Sequence, residues 1–188
     1  MDYNIRFWKY NYHLHLYHVK GLHDKLKEEF PTEYHIEQFK KEKKGVHAKR
    51  IANYFLEEEK SKFLEDIFVY IANKYYLVDE QWGKISIMAY YQTNEEGISK
   101  FHNHARYSTL TATTYIDPPN EDEGGQLEFF NPPDNNLTIS PKKDVIYFFP
   151  SWLLHRPLPQ TNKEPRICLN WGYESTLRPI HKITGDRW

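Results

Sequence analysis

Three histidines and one arginine carry the chemistry that this sequence offers. His102 and His104 flank Asn103, His155 closes the run Pro150-Ser151-Trp152-Leu153-Leu154-His155, and Arg166 follows. Side chains two apart on an extended segment point to one face. His102 and His104 therefore share a face if residues 100–104 are a strand. Neutral imidazole is a good ligand for Fe(II), Zn, Cu or Ni. Two imidazoles from one strand and a third from a distant one would form one side of a coordination sphere and leave the other side open. With ten histidines in the chain, a single His-x-His arises readily by chance. What singles this one out is the ordered set, with His155 placed just after the apolar run of residues 145–149.

Such a set needs strands to hold it, and the sequence supplies them. From residue 84 the apolar period is two: Ile85, Ile87, Ala89 and Tyr91 alternate with Ser86, Met88 and Tyr90. Strands are expected over 84–91, 100–104, 108–116, 127–130, 137–139, 145–149, 154–158 and 167–173. The turns between them carry Pro, Gly, Asn and Asp. Thr109, Thr111, Thr113 and Tyr115 should share a face. Short strands with regular turns suggest a jelly roll or barrel. Upstream, Val19, Leu22, Leu26 and Phe30 recur at helical spacing and Pro31 ends that helix. Phe63, Leu64, Ile67, Phe68, Ile71, Ala72 and Tyr75 define a second helix over 61–76, with Ser61 as its N-cap. Its apolar stripe must be buried on something, and the outer face of the larger sheet is the natural partner. Residues 3–18 are rich in Tyr and His and read as a sheet-edge strand. The pair His13 and His15 has no distal partner. Lys40, Lys41, Lys43, Lys44, Lys49 and Arg50 read as a solvated loop or helix face, because acidic residues flank them.

Five segments occur in a telling order. They are His102-Asn103-His104, Thr113-Thr114-Tyr115-Ile116-Asp117, Gly124-Gly125-Gln126-Leu127-Glu128-Phe129-Phe130, Ile146-Tyr147-Phe148-Phe149-Pro150 with His155, and Arg166. This order resembles the catalytic half of the 2-oxoglutarate and iron(II)-dependent oxygenases, in particular the prolyl-hydroxylase-like branch with its phage and bacterial members. The resemblance covers residues 85–173. It implies a double-stranded β-helix, or jelly roll, mainly β, with N-terminal helices packed on the larger sheet. It implies Fe(II) held by His102, His155 and His104, with 2-oxoglutarate as cosubstrate and O2 as oxidant. The activity implied is hydroxylation of a C–H bond with release of succinate and CO2. Arg166 would hold the far carboxylate of the cosubstrate, since guanidinium matches carboxylate in a two-pronged bond. By the same similarity Tyr115 would donate its hydroxyl there and Thr111 would line the pocket. Tyr91 is either a further cosubstrate contact or a core aromatic. Trp152, Arg156, Tyr107 and Arg106 lie beside the ligands and either shape the substrate mouth or pack its rim.

One position departs from the family pattern. Where the family has a carboxylate, this chain has His104. The site is then a three-histidine centre, or a two-histidine centre with His104 turned away. Neutral imidazole leaves an ion its full charge until the dianionic cosubstrate arrives. Of the substitute carboxylates, Asp117 reads as a turn residue before Pro118, and Glu128 as outward-facing between Leu127 and Phe129. A second reading is a cupin-like jelly roll that binds metal without oxygenase activity, although the usual cupin glutamate is missing. A third is a degenerate fold that only binds a partner.

The remaining features are exclusions. A formal charge of −1 favours neither nucleic acid nor a membrane surface. Nowhere do 18 apolar residues run together, and the first residues are polar and mixed, so neither a membrane span nor a secretory signal is expected. Cys168 is the single cysteine, so no internal disulfide can form. A cytoplasmic home is the expectation, in a host cell if the gene is phage-borne. The length of 188 residues fits one domain. Within it, 1–83 would support, 84–175 would be the catalytic core and 176–188 would be a surface tail. The substrate, small or peptidyl, is not legible.

Overall fold

The computed structural model describes residues 5–9, 14–43, 51–75, 86–92, 100–105, 108–130, 135–162 and 164–173. Arg106, Tyr107 and the expected tail over 176–188 lie outside the described residues. In chain order the strands are β1 (Ile5–Lys9), β2 (His15–Val19), β3 (Ile51–Phe55), β4 (Ser86–Gln92), β5 (Leu110–Tyr115), β6 (Leu127–Phe129), β7 (Leu137–Ile139), β8 (Val145–Pro150), β9 (His155–Pro157) and β10 (Arg166–Tyr173). The helices are α1 (Leu22–Glu29), α2 (Thr32–Lys43) and α3 (Glu58–Tyr75). The larger sheet has the order β1-β2-β8-β5-β10-β4-β3 and the smaller the order β7-β6-β9, with all pairings antiparallel. Two facing sheets with helices on the back of the larger one make a jelly roll.

The central strands explain why the larger sheet is covered on both faces. β5 is buried at all six positions, and β8 at every position before Pro150. Their alternate residues feed two cores. Leu110, Ala112, Ile146, Phe148, Ile167, Leu169 and Trp171 join the helices, while Tyr115, Val145, Tyr147 and Phe149 meet Leu127, Phe129 and Ile139 of the smaller sheet. The expected shared face of Thr111, Thr113 and Tyr115 is therefore the interior of the roll. Helix α3 supplies Leu64, Ile67, Phe68, Ile71 and Ala72 to the helix-side core. Phe68 stacks on Phe148 and meets Trp171 edge-on, both at 4.9 Å between ring centres. Each such large apolar side chain contributes about 1.5–3 kcal/mol of burial.

Several local expectations need correction. Residues 3–18 are not one strand: β1 and β2 pair antiparallel with Ile5 opposite Val19, and β1, not β2, is the edge. Val19 closes β2, so the first helix starts only at Leu22. Pro31 separates two helices, because its carbonyl accepts the amide of Tyr34 at 3.0 Å and so opens α2. The basic stretch expected as a loop or helix face thus begins inside α2. The five-residue β3, which pairs with β4, had no clear periodic signal. Ser61 is not a cap: α3 begins at Glu58, and the Ser61 hydroxyl donates back to the Glu58 carbonyl at 3.2 Å. Residues 100–104 are not a strand either, and only His102 makes a bridge, to His155.

Candidate metal centre

The bridge between His102 and His155 is the frame of the site. The His102 amide donates to the His155 carbonyl at 3.0 Å, and the His155 amide returns to the His102 carbonyl at 2.9 Å. A second tie holds the next histidine, whose amide (His104) donates to the Ser151 carbonyl at 2.8 Å. Ser151 sits in the turn that carries the chain from β8 into β9. Its buried hydroxyl meets the hydroxyls of Ser108 and Thr111, both at 2.7 Å. The Ser108 amide donates to the His104 carbonyl at 3.0 Å. Buried polar groups that are fully paired stiffen the backbone they join. All three histidines thus hang on one clamp, although they come from positions far apart in the chain.

The imidazoles converge. One ligand atom from each of His102, His104 and His155 can be chosen so that all lie within 4.8 Å of one another. Nε2 of His104 lies 3.2 Å from Nε2 of His155. Ring centres are 5.3 Å apart for His102 and His104, 4.6 Å for His102 and His155, and 5.0 Å for His104 and His155. The other ring nitrogen of two of them is occupied. Nδ1 of His155 is 2.8 Å from the Leu153 carbonyl, and Nδ1 of His102 is 3.2 Å from the Lys100 carbonyl. A proton on Nδ1 leaves Nε2 with its lone pair, which is how metal-binding imidazoles are oriented. Burial pulls the His155 pKa down to about 3, partly opposed by the Leu153 carbonyl and helped by His102 and His104. Burial, then His102, pulls His104 down to about 4. Both rings are therefore neutral at pH 7. Without an ion, a proton on Nε2 of His104 can bridge to the lone pair of His155 at 3.2 Å, and a cation can take that proton's place. The donor set fits a divalent ion.

Deeper in the same interior lies Arg166, the first residue of β10, only 5% exposed. Its Nη1 donates to the Gly125 carbonyl at 2.9 Å. Gly125 has φ +70, and a Cβ there would lie 2.7 Å from Cγ of Pro119, so glycine lets this turn pass close to Pro119 while its carbonyl meets the guanidinium. Arg166, Cys168 and Asn170 alternate with Ile167, Leu169 and Trp171, which belong to the helix-side core. The first three therefore face the interior. Tyr115 lies opposite Cys168, is 3% exposed and feels the charge of Arg166. Burial nevertheless drives its phenol well above the ordinary range, so it is a neutral donor. Asn170 reaches the metal end, with Nδ2 3.5 Å from Nε2 of His104. Asn170 lies four residue steps along the strand from Arg166, about 13 Å at about 3.3 Å per residue.

The other candidates fall elsewhere. Tyr91 belongs to the helix-side core, stacked on Phe39 at 4.3 Å, because it lies opposite Ile167. It turns its back on the interior, and Tyr90, opposite Cys168, takes the place expected for it. Thr111 faces inward, but its hydroxyl is engaged with Ser151 beside the histidine clamp, four strand positions from Tyr115. It braces the turn that holds His104, at the end of the interior away from Arg166. Arg156 faces away from His155: its Nε donates to Glu128 at 2.5 Å, and its guanidinium lies 4.3 Å from the Phe101 ring centre. Trp152 is 52% exposed in the turn before His155. Asp117 accepts from Lys27 at 2.7 Å and Thr32 at 3.0 Å, tying the end of β5 to the helices. Asn170 and Tyr90 were missed as interior residues, whereas Thr113 lies on the face expected for it. Counting by twos from Arg166 along β10 would have found Asn170.

No protein-family model matches the chain, and no curated protein does. Solved structures do match. A prolyl-4-hydroxylase from Pseudomonas putida aligns with a TM-score of 0.61 at 13% identity, covering 82% of this chain and 88% of that one. A prolyl hydroxylase from Trichoplax adhaerens, in complex with a hypoxia inducible factor oxygen degradation domain peptide fragment, aligns at 0.64 and 14% identity, covering 88% and 82%. HygX from Streptomyces hygroscopicus, with nickel and 2-oxoglutarate bound, aligns at 0.56 and 10% identity, covering 84% and 79%. The fold expected from the sequence is the fold these hydroxylases share.

Proposed function

We propose that this protein is a non-haem Fe(II)- and 2-oxoglutarate-dependent dioxygenase that hydroxylates a C–H bond and releases succinate and CO2. The observation that carries this reading is the pairing of two features on one interior. Three convergent imidazoles stand at one end, and a buried guanidinium stands about four strand residues deeper. His102, His104 and His155 would hold the ion. Arg166 would clamp the far carboxylate of the cosubstrate, with the neutral Tyr115 hydroxyl donating beside it. Bound there, iron and 2-oxoglutarate together would supply the oxidising power for C–H hydroxylation. The chain's own part is to orient these groups on the rigid β5 and β10, and to keep water out with Phe129, Phe149 and Tyr147.

Three neutral ligands leave a doubly charged ion uncompensated, which favours capture of a dianion. A jelly roll that only stores a metal would not need a guanidinium at the floor of its interior. A peptidyl or small-molecule substrate would enter past Trp152. A reducing, cytoplasmic setting belongs to the proposal, since it suits both ferrous iron and the free thiol of Cys168. Among the described residues no helix is long and apolar enough to cross a membrane.

The test is anaerobic addition of Fe(II) and 2-oxoglutarate. A weak visible charge-transfer band, followed by succinate release when air is admitted, is the expected result. Metal binding without the band would leave only a metal-binding module, and no metal binding would leave a fold without its chemistry.

A further inference from the structure

Asn170 is the polar side chain that the metal-centre reading does not yet use. It lies on the interior face of β10, opposite Thr113 of β5 and Met88 of β4. Its Nδ2 is 3.5 Å from Nε2 of His104. Its Oδ1 is buried and has no hydrogen-bond partner among the described residues. A buried carboxamide oxygen without a partner is costly, so its presence asks for a donor. Once Nε2 of His104 gives its lone pair to an ion, Nδ2 loses its acceptor as well. Both halves of the carboxamide then face the coordination sphere and need partners there.

The donor must carry an O–H or N–H group. 2-Oxoglutarate is a dianion with no such group, so it can accept from Nδ2 but cannot satisfy Oδ1. A water on the ion can, because its lone pair goes to the ion and its O–H groups donate, one of them to Oδ1, while Nδ2 donates to an anionic oxygen of the cosubstrate. The departure at His104 gives this a reason. When a carboxylate ligates an ion through one oxygen, its second oxygen can accept a hydrogen bond from a neighbouring water. An imidazole ligand has no second acceptor facing that way. Among the described residues no carboxylate joins the histidine group. Asp117 and Glu128 are engaged elsewhere. We propose that Asn170 is a positioning residue whose carboxamide oxygen takes over the hydrogen bond of the missing carboxylate and holds a water on the open side of the ion. Asn170 and His104 thus form one functional pair, replacing a single acidic ligand.

This inference rests on the metal-centre reading, and the two can fail separately. The probe is Co(II), whose visible absorption rises as its coordination number falls, with 2-oxoglutarate added under argon. Wild type is compared with Asn170→Leu, an apolar side chain of similar size, and with His104→Asp in the Asn170→Leu background. In Asn170→Leu the Co(II)–2-oxoglutarate spectrum should gain intensity as the water is lost. Its affinities for Co(II) and 2-oxoglutarate should stay within about threefold of wild type. The added His104→Asp should return the spectrum toward wild type, a rescue that a merely structural role for Asn170 would not produce. An unchanged spectrum in Asn170→Leu would overturn the proposal. So would loss of Co(II) as severe as that of His104→Ala, or a double variant that stays at the Asn170→Leu spectrum. Failure of the wild type to bind Co(II) would instead remove the metal-centre reading itself.

Discussion

Replacing Arg166 with alanine should separate cosubstrate binding from metal binding. The guanidinium is 5% exposed and about 13 Å along β10 from the rung that touches His104. Hydrogen bonds to charged groups contribute about 1.5–3 kcal/mol each. Losing a two-pronged contact, with water partly replacing it, should cost about 3 kcal/mol. At about 1.4 kcal/mol per decade, the Kd for 2-oxoglutarate should rise on the order of 100-fold. Affinity for the ion should hardly change at that distance. Arg166→Lys keeps the charge but loses the fork, and should fall between the two. The Gly125 carbonyl also loses its donor, at about 1–3 kcal/mol of stability, so each variant's Tm must be recorded beside its binding. Calorimetric titration of 2-oxoglutarate into Mn(II)-loaded protein, with a chelator competition for the metal, gives both constants. An unchanged Kd for 2-oxoglutarate would make Arg166 a purely structural strut. Equal loss of both ligands would point to misfolding and refute the separation.

His104→Asp should keep or tighten metal binding, because a carboxylate cancels one charge of the ion; chelator competition reads this directly, and a large loss would show that the third imidazole is indispensable. Gly125→Ala should weaken 2-oxoglutarate binding as well as stability, since its Cβ would press within 2.7 Å of Pro119 and 3.7 Å of Cδ of Arg166 in a backbone held at φ +70; a variant that binds normally would break the link between the Gly-Gly turn and the guanidinium. Acid should destabilise the metal-free protein early. His35 is fully enclosed, and burial lowers its pKa from 6.5 to about 4, so the unfolded chain takes up the proton first. The stability due to neutral His35 is present above pH 6.5 and drains away as pH falls towards 4, by about 3 kcal/mol in all. Urea midpoints in EDTA between pH 7.5 and 4.5 should fall accordingly, less so in His35→Gln; a flat wild-type profile would count against it. Phe68→Ala should cost about 3–5 kcal/mol in urea unfolding, through the emptied space beside Phe148 and Trp171.

The strands of the roll were legible because their apolar residues alternate or run unbroken between Pro, Gly and Asn turns. Helix α3 was legible from its stripe of Leu64, Ile67, Phe68 and Ile71. What periodicity could not supply was phase. Tyr90 and Tyr91 are chemically alike, and only pairing with Cys168 and Ile167 of β10 decides which one faces inward. Helix α2 escaped because its buried side chains among the described residues are His35 and Phe39, one of them polar, within a run dominated by Glu and Lys. The histidine geometry was inferred from the wrong cause. Residues 100–104 are not extended throughout, and the rings meet because backbone bonds tie His102 to His155 and His104 to Ser151. Those bonds join segments about fifty residues apart, so no local pattern announces them.

The position of β10 fixes how far apart the two ends of the interior lie. It runs between β5 and β4 in the middle of the larger sheet, paired on both edges. On one side Ile167, Leu169 and Trp171 are locked into the helix-side core, each at most 1% exposed. On the other side, Arg166, Cys168 and Asn170 project into the interior. The distance between the guanidinium and the metal end is therefore set by the rise of a single strand that cannot slide without pulling three large side chains out of the core. A register slip of one residue would exchange the two faces completely. In this chain the alternation of β10 alone is enough to hold that spacing, within a fold shared with the hydroxylases described above at identities of only 10–14%.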